Sequence, residues 1–592
     1  MAQAPVITLR NRAIKEKERL QKMVDGLEAL KDMELSKRLL LMYDEASQFK
    51  EQYVSQDWSN FTKFIRGENL WPTRRPSHKV SAVINIIIEN IERKTALLTD
   101  TKPIPTVVPR ADIHQRTADI LNGLSDTIFG ESSFAQANED MINNAQIFGS
   151  GFLGTLYDKD EDDIRIVSYD PRAVYIDPMV LKSFLLHEGE FVILEDVWSL
   201  EKARDLFPKD ADELKPDASL STFVQQDKVS NNKFLKPLWN MDKPRVVASA
   251  IPRVYVREYY LRDRTKEGGS YKYTKACRRA VMVGEVVVDD GPNPYNDGEF
   301  PIDMLHWHMD MKSCWGWGDV ELLKNPQELS NKIVATIIEN IMLMSNAIWI
   351  GDADALQKNE WERLNNAPGN YVKKKPGREL RRESGVPLPT YVLQVLQDLG
   401  IKGDKITGMV DVVKGIASGQ ISSGVGVESL QMMAQALIRL RARASEQVHA
   451  RVGRKLMSRI FQFYSPERIM PMLDAQANKS ADGQVEISSE LLKEIGNRKK
   501  GAWKDVSFKI EPGSSLGLAK TQRRIESMQL RKMEVIDDEA LLEDLEYPHR
   551  TEVLKRTKMK KQDPDDMEVN PMMGDKKSQF PHQPGASPAG RT

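Results

Sequence analysis

One segment limits the fold more than any other: "ESLQMMAQALIRLRARASEQVHARVGRKLMSRIFQFY", residues 428–464. In it Leu430, Met433, Leu437, Leu440, Ala444, Val448, Val452, Leu456, Ile460 and Phe463 recur every three or four residues. That spacing predicts a single helix of about ten turns. Its other faces carry Arg439, Arg441, Arg443, Arg451, Arg454, Lys455 and Arg459 against only Glu446. Such residues read first as ordinary surface or intersubunit ion-pair groups.

A chain of 592 residues has room for several domains or for one elongated subunit with several parts. Its 85 basic and 86 acidic residues nearly cancel, so it has no global basic field for gripping nucleic acid. Contact with DNA is still compatible with that balance, because a surface along which DNA slides must not bind phosphates too strongly. The two cysteines, Cys277 and Cys314, form no C-x-x-C unit, which fits a reduced protein without a cysteine zinc site. "MAQAPVITLRNRAIKEKE" lacks the pattern of a signal peptide, and the longest apolar run, "VSAVINIII", soon meets Glu89, Glu92, Arg93 and Lys94. The expectation is a soluble, cytoplasmic protein that does not engage membranes.

Residues 12–66 read as charged helix, with Leu20, Met23, Leu27 and Leu30 on one face, then Leu39, Leu40, Tyr43 and Phe49. A second helix is expected to carry Val80, Val83, Ile84, Ile87, Ile91 and Leu98, ending at Pro103 and Pro105 where the chain turns extended. A third spans about 113–129. From about Phe152 to Trp307 the segments "TLYD", "DIRIVSYD", "AVYIDP", "EFVILEDVW", "RVYVREYYLRD", "AVMVGEVVVDD" and "DMLHWHMD" alternate apolar and polar residues as strands do, interrupted by a helical "LEKARDLFP". In "NPQELSNKIVATIIENIMLMSN", Asn325 is placed to cap, Pro326 to take the first helical position and Glu328 to complete a capping box. Leu329, Ile333, Ile337, Ile341 and Met344 then form one apolar stripe. A compact polar segment, a further helix "TYVLQVLQDLGIKGDKITGMV" and a glycine-serine stretch lead into the long helix, and residues 561–592 have the composition of a disordered tail.

Several stretches imitate chemistry. Gly149, Gly151 and Gly154 in "AQIFGSGFLGTLYD" have dinucleotide-fingerprint spacing, but here a helix precedes and a strand follows, the reverse of what holds a pyrophosphate. They are read as a helix C-cap and a swivel into a hairpin. "PGSSLGLAKT" resembles a phosphate loop, yet Gly513, Gly517 and Lys520 break its register. His306, His308 and Asp310 fall on one face of a strand, a metal triad by spacing alone, and the half-exposed strand is the simpler reading. "DKDEDD" lacks the glycine and distal glutamate of a calcium loop and reads as a hairpin turn. With no G-x-S-x-G, H-E-x-x-H or paired C-x-x-C, the chain is read as non-enzymatic, with no catalytic residues, cofactor or metal.

Two clusters remain. Lys373, Lys374, Lys375, Arg378, Arg381 and Arg382 crowd around Pro376 and Gly377, with Asp352, Asp354, Glu360, Glu362, Glu379 and Glu383 in the same segment. They form either a nucleic-acid or motor-facing patch or a solvated, salt-bridged turn. "GIASGQISSGVG", with Gly415, Ser418, Gly419, Gln420, Ser422, Ser423 and Gly424, suits a mobile loop beside DNA or a plain linker.

In order along the chain, "VSAVINIIIENIERKTALLTDTKPIPTVVP", "NNAQIFGSGFLGTLYD", "IVSYDPRAVYIDP", "GWGDVELLKNPQELSNKIVATIIENIMLMSN", "SGVGVESLQMMAQALIRLRA" and "DDEALLEDLEYPHRTEVLKR" resemble the bacteriophage portal proteins. The resemblance implies an α+β, predominantly helical, elongated subunit with wing, stem, clip and crown. It implies a wing at 1–318, a first stem helix at 319–346, a clip at 347–388 and a second stem helix at 389–412. A channel loop at 413–426, a spine helix at 427–470, a crown at 471–560 and a disordered tail at 561–592 would follow. Such a subunit assembles in the host cytoplasm and joins a dodecameric ring at one capsid vertex. Double-stranded DNA passes through that ring during packaging and ejection, driven by a separate ATPase. The implied partners are further copies of the chain, the terminase large subunit, the major capsid and scaffolding proteins, and neck, adaptor and tail proteins. The rival readings are another oligomeric virion scaffold or adaptor without a channel, and a nucleotide-dependent enzyme.

Overall fold

A computed structural model describes residues 34–68, 79–100, 102–110, 115–130, 132–217, 251–345, 348–356, 373–383, 387–409, 436–465, 502–510 and 517–545, with a few isolated residues between. The chain divides into two compact units, the first comprising residues 1–473 and 487–520.

Strands dominate where alternation predicts them. Five antiparallel strands make one sheet in the order Val286–Pro292, Cys277–Val283, Arg253–Arg262, Phe191–Ser199, Val174–Ile176. Its side chains sort with a period of two. Phe191, Ile193, Tyr259, Leu261, Ala280 and Met282 face helix Leu35–Tyr53 through Leu39 and Ala46. Val254, Val256, Val281 and Val283 face the short helix Leu200–Leu206 on the other side. A smaller sheet has the order Ile302–His306, Ser150–Asp158, Asp163–Tyr169. The acidic "DKDEDD" is its hairpin turn, where Asp158 Oδ1 accepts from the amide N–H of Asp160 at 3.0 Å.

Gly149 ends helix Ser132–Phe148 in the left-handed conformation (φ 86°), as the sequence predicts. Gly151 is a strand residue rather than a swivel: a Cβ there would collide with the Met141 carbonyl, and one at Gly149 with the Gly316 carbonyl. Tyr169 lies over Gly154, so protein fills the space above all three glycines.

Two helix starts differ from the sequence reading. The helix expected from Val80 begins at Ile86, capped by Asn85, whose Oδ1 accepts from Ile87 N at 3.1 Å and Ile88 N at 3.3 Å. Residues 80–85 stay non-helical because side chains of another helix satisfy their backbone. Val80 N donates to Glu339 at 3.2 Å, Ile84 N to Asn331 at 3.1 Å and Ile86 N to Gln327 at 2.9 Å. That other helix runs Asp319–Ser345, so it starts before Asn325 and carries Pro326 in its interior. An interior proline costs about 3 kcal/mol. Burial of Val320 and Leu323, and the bonds of Asp319 described below, hold the first turns against that cost.

The proline-rich exit is a strand, Pro105–Pro109, and its antiparallel partner lies far along the sequence at Val506–Ile510. Helix Ala436–Phe463 packs beside this pair and beside helices Gln115–Gly130 and Ser132–Phe148 in the largest core, through Val448, Val452, Leu456 and Ile460. At its beginning the expected face is rotated: Leu437 and Leu440 are exposed, and Ile438 and Ala442 are buried instead. Leu430 and Met433 lie outside the described residues.

The second unit comprises residues 474–486 and 521–592. It holds the end of helix Gly517–Lys532 and helix Asp538–Asp544, joined by Arg531 Nε donating to Asp538 at 2.6 Å.

Candidate functional site

Helix Asp319–Ser345 has its amphipathic character turned outward. The face packed against its own chain mixes apolar Val320, Leu323 and Ala335 with buried Gln327, Ser330 and Asn331, and the amides of Gln327 and Asn331 serve the 80–86 backbone. Of the predicted apolar stripe, Leu329 is 45%, Ile341 54% and Met344 40% exposed, with Met342 and Leu343 open beside them. Helix Tyr391–Thr407 returns alongside, since a Cβ on Gly403 would lie 3.6 Å from Leu323 Cδ2 and Thr407 Oγ1 donates to Asn90 at 2.8 Å. Tyr391, Leu393, Val395, Ile401 and Ile406 of this second helix are exposed too. Exposed apolar surface on this scale marks an interaction face.

Between the far ends of these helices sits a small knob. Strand Ile348–Gly351 pairs with Leu380–Glu383, setting Trp349 opposite Arg382 and Ile350 opposite Arg381. A turn with Gly377 at φ 80° carries the basic cluster. Here the six predicted residues do come together, with mixed partners. Arg378 pairs with Asp354 at 2.7 Å and Arg381 with Glu383 at 3.6 Å, while Arg382 donates to the Ser345 carbonyl at 3.3 Å. Lys373, Lys374 and Lys375 have no carboxylate within ion-pair reach among the described residues. The glycine-serine stretch, from Gly415 to Gly424, lies outside the described residues.

The long helix yields what the sequence reading missed. Its cations, expected on outer faces, are largely internal. The strand Ile302–His306 is an edge strand, and its outward carbonyls accept from side chains instead of from another strand. Lys455 Nζ donates to Ile302 O at 2.8 Å and Arg451 Nη2 to Met304 O at 2.9 Å. Arg441 Nη1 continues the series at Trp307 O, and Arg459 Nε reaches Thr155 O at 3.0 Å. A helix thus covers the edge, which shields it from pairing with another strand. Asp303 Oδ2 pairs with Lys455 at 2.8 Å, while its Oδ1 takes Arg451 and His187, both at 3.2 Å; Asp297 pairs with Arg459. Burial alone raises the Asp303 carboxyl, but Lys455, His187 and Arg451 outweigh it and hold it well below the usual range. Arg443 and Arg454 remain exposed.

The spaced triad His306, His308 and Asp310 separates. His306 Nδ1 contacts Ser183 Oγ at 2.6 Å, His308 lies between Asp319 and Arg441, and Asp310 accepts from Lys312 N at 3.0 Å. Among the described residues no group of three His, Cys, Asp or Glu could hold a metal, and no helix is long and apolar enough to cross a membrane. Cys277 and Cys314 are buried free thiols. A register signal for the missed groups did exist: Lys94 falls in step with Ile87, Ile91 and Leu98, and Lys455 and Arg459 adjoin Leu456 and Ile460.

An exposed apolar stripe on a pair of adjacent helices and an exposed basic knob between them define a structural assembly subunit. Among curated proteins none matches the chain. The phage P22-like portal protein family matches residues 42–589, and the chain belongs to that family. It is therefore a bacteriophage portal protein, the head-to-tail connector through which DNA is packaged. The family is structural, and it implies an oligomeric ring at a capsid vertex with DNA, terminase, capsid and tail partners.

Proposed function

We propose that the chain forms a dodecameric ring in which helices Asp319–Ser345 and Tyr391–Thr407 are the stem and the intervening knob is the clip. In this reading 1–318 is the wing, 319–346 and 389–412 the stem helices, and 347–388 the clip. Residues 413–426 are the channel loop, 427–470 the spine, 471–560 the crown and 561–592 the tail. The ring assembles in the host cytoplasm, and DNA moves under a separate motor, the terminase large subunit, with the chain itself performing no catalysis and holding no cofactor. Scaffolding, neck and adaptor proteins dock on it.

The outward apolar stripe carries this reading. A single chain leaves Leu329, Ile341 and Leu343 in water, whereas neighbours standing side by side around an axis cover them. Electron microscopy of the purified full chain tests it: an annulus with a central hole is expected, and monomers or filaments overturn it.

The basic knob is assigned to DNA or to the motor because Lys373, Lys374 and Lys375 stand exposed without ion pairs among the described residues. Replacing all six basic residues by Gln is expected to weaken motor docking and packaging. Unchanged packaging would remove the assignment. The loop candidates Gly415, Ser418, Gly419, Gln420, Ser422, Ser423 and Gly424 belong to the same proposal, as a flexible lining without strong charge.

A further inference from the structure

His308 occupies a joint between three helices. Arg441 Nη2 of the long helix lies 2.6 Å from His308 Nδ1, and His308 Nε2 lies 3.1 Å from Asp319 Oδ1 at the start of helix Asp319–Ser345. On its other oxygen Asp319 accepts from Lys94 Nζ of helix Ile86–Thr99 at 2.6 Å. The imidazole is stacked on Trp317 with centroids 4.2 Å apart and planes 17° from parallel, so it cannot turn freely. A two-way backbone bridge between His308 and Trp317, 3.1 Å each way, fixes the ring's base.

These contacts decide the proton's place. A guanidinium only donates, so Nδ1 must be the acceptor from Arg441. Asp319 is ionised, held low by His308 and Lys94 against the effect of burial, so Nε2 carries the hydrogen and donates to it. The joint as built requires a neutral imidazole.

We propose that His308 is a proton-operated clasp: neutral, it fastens the beginning of the long helix to helix Asp319–Ser345, and protonated, it releases Arg441. A proton on Nδ1 converts the acceptor into a donor aimed at a cation. The charged groups around the ring are Arg441 from the long helix, Lys94 from helix Ile86–Thr99, and Asp319 and Glu321 from helix Asp319–Ser345, with Asp310 of the loop between acting on Glu321. Among the described carboxylates only Asp319 touches the ring, and Lys94 already neutralises it. Of the two neighbouring cations Arg441 is the one that leaves. Beyond His308 its contacts are the carbonyl and the ring face of Trp307, the latter at 5.3 Å, and it is only half-buried beside the exposed Leu437 and Leu440. Lys94, buried against Asp319, stays.

Amide hydrogen exchange on the full chain tests this, comparing residues 436–445 with residues 319–330 at about pH 8 and at about pH 5. After correction for intrinsic rates, protection of 436–445 is expected to fall about tenfold or more at the acid end, the loss of one charge-assisted hydrogen bond. Protection of 319–330 is expected to hold. His308→Gln offers a donor and an acceptor and no proton to gain, so 436–445 is expected to stay protected at both ends. Arg441→Met has no clasp, and its protection is expected to be low and independent of pH. Unchanged protection in the unsubstituted chain overturns the proposal, as does an acid loss that persists in His308→Gln. Should that variant fail to fold, an acid loss persisting in Arg441→Met overturns it equally.

Discussion

Gly453, in the middle of the long helix, lies against the ring edge of Phe508: a Cβ at 453 would overlap Phe508 Cε1, Cζ and Cδ1. Phe508 belongs to the strand that pairs with Pro105–Pro109, and it also stacks on Phe129 with centroids 5.9 Å apart. A glycine in mid-helix is weaker than alanine by about 1 kcal/mol, so helix propensity alone favours Gly453→Ala. Overpacking opposes it by about 1–3 kcal/mol, and the ring is held on both sides. Gly453→Ala is expected to lower the unfolding midpoint, and a double variant Gly453→Ala with Phe508→Leu to recover part of the loss. Thermal unfolding of both variants checks this.

Asp303 gathers Lys455, Arg451 and His187, and removing it leaves buried Lys455 without its carboxylate. Asp303→Asn is expected to destabilise by about 3–5 kcal/mol, the range for breaking a buried pair on one side. The pH dependence follows from the same depression. A carboxyl held low in the folded chain stabilises it fully above the ordinary value of 3.8 and loses that contribution as pH falls toward the lower native value. The difference in stability between the parent chain and Asp303→Asn should therefore shrink below about pH 4, as measured by denaturant titration.

His449 behaves in the same direction at a higher pH. Burial takes its imidazole from 6.5 down to about 3, and Nε2 meets Asn138 Oδ1 at 2.8 Å. The unfolded chain binds the proton first, so stability falls as pH drops below 6.5 toward about 3. The loss amounts to a few kcal/mol, ~1.4 per pH unit over that interval. His449→Gln, which keeps a donor for Asn138, is expected to flatten this slope in melts at successive pH values. An unchanged slope would assign the acid loss elsewhere.

Lys50 titrates in the opposite sense. Its Nζ donates to Arg172 O and Val174 O, both at 2.7 Å, under the rings of Tyr175, Trp58 and Trp315, with its side chain almost wholly buried. Burial brings it from 10.5 down to about 7. For a lysine depressed on folding, the stability penalty is full below about 7 and is relieved as pH rises toward 10.5. Lys50→Met is expected to remove that rise, leaving the parent chain to gain on the variant by a few kcal/mol, ~1.4 per pH unit over the same interval. Denaturant midpoints at about pH 7 and about pH 9 measure it.

The strands and the glycine-capped turn were legible because their signals are local: alternation along Phe191–Ser199, and a left-handed position at Gly149. Legibility failed where a distant partner replaced a local one. Residues 80–85 carry a helical pattern, yet Gln327, Asn331 and Glu339 supply their backbone bonds from far along the chain. Asn325 and Pro326 read as a helix start, and the true start at Asp319 depends on Lys94 and His308. The arginines of the long helix looked superficial because their acceptors, Asp297, Asp303 and the edge carbonyls of 302–307, are set by the sheet. For the knob, charge density was readable and the pairing of Arg378 with Asp354 was not.

The outward stripe separates assembly from folding. Ile341 is 54% exposed in the chain, so Ile341→Asp removes little packing from the subunit itself. Exposed substitutions of this kind change stability by about 0.5 kcal/mol or less. If neighbouring copies cover the stripe, however, the carboxylate is buried unpaired at every interface of the ring, at several kcal/mol each, ~3 or more. Ile341→Asp, and Leu329→Asp on the same face, are expected to leave the circular dichroism and the melt of the subunit unchanged while light scattering shows the ring reduced to monomers. Intact rings from both variants would mean that the stripe faces water or another partner, and that different residues hold the subunits together.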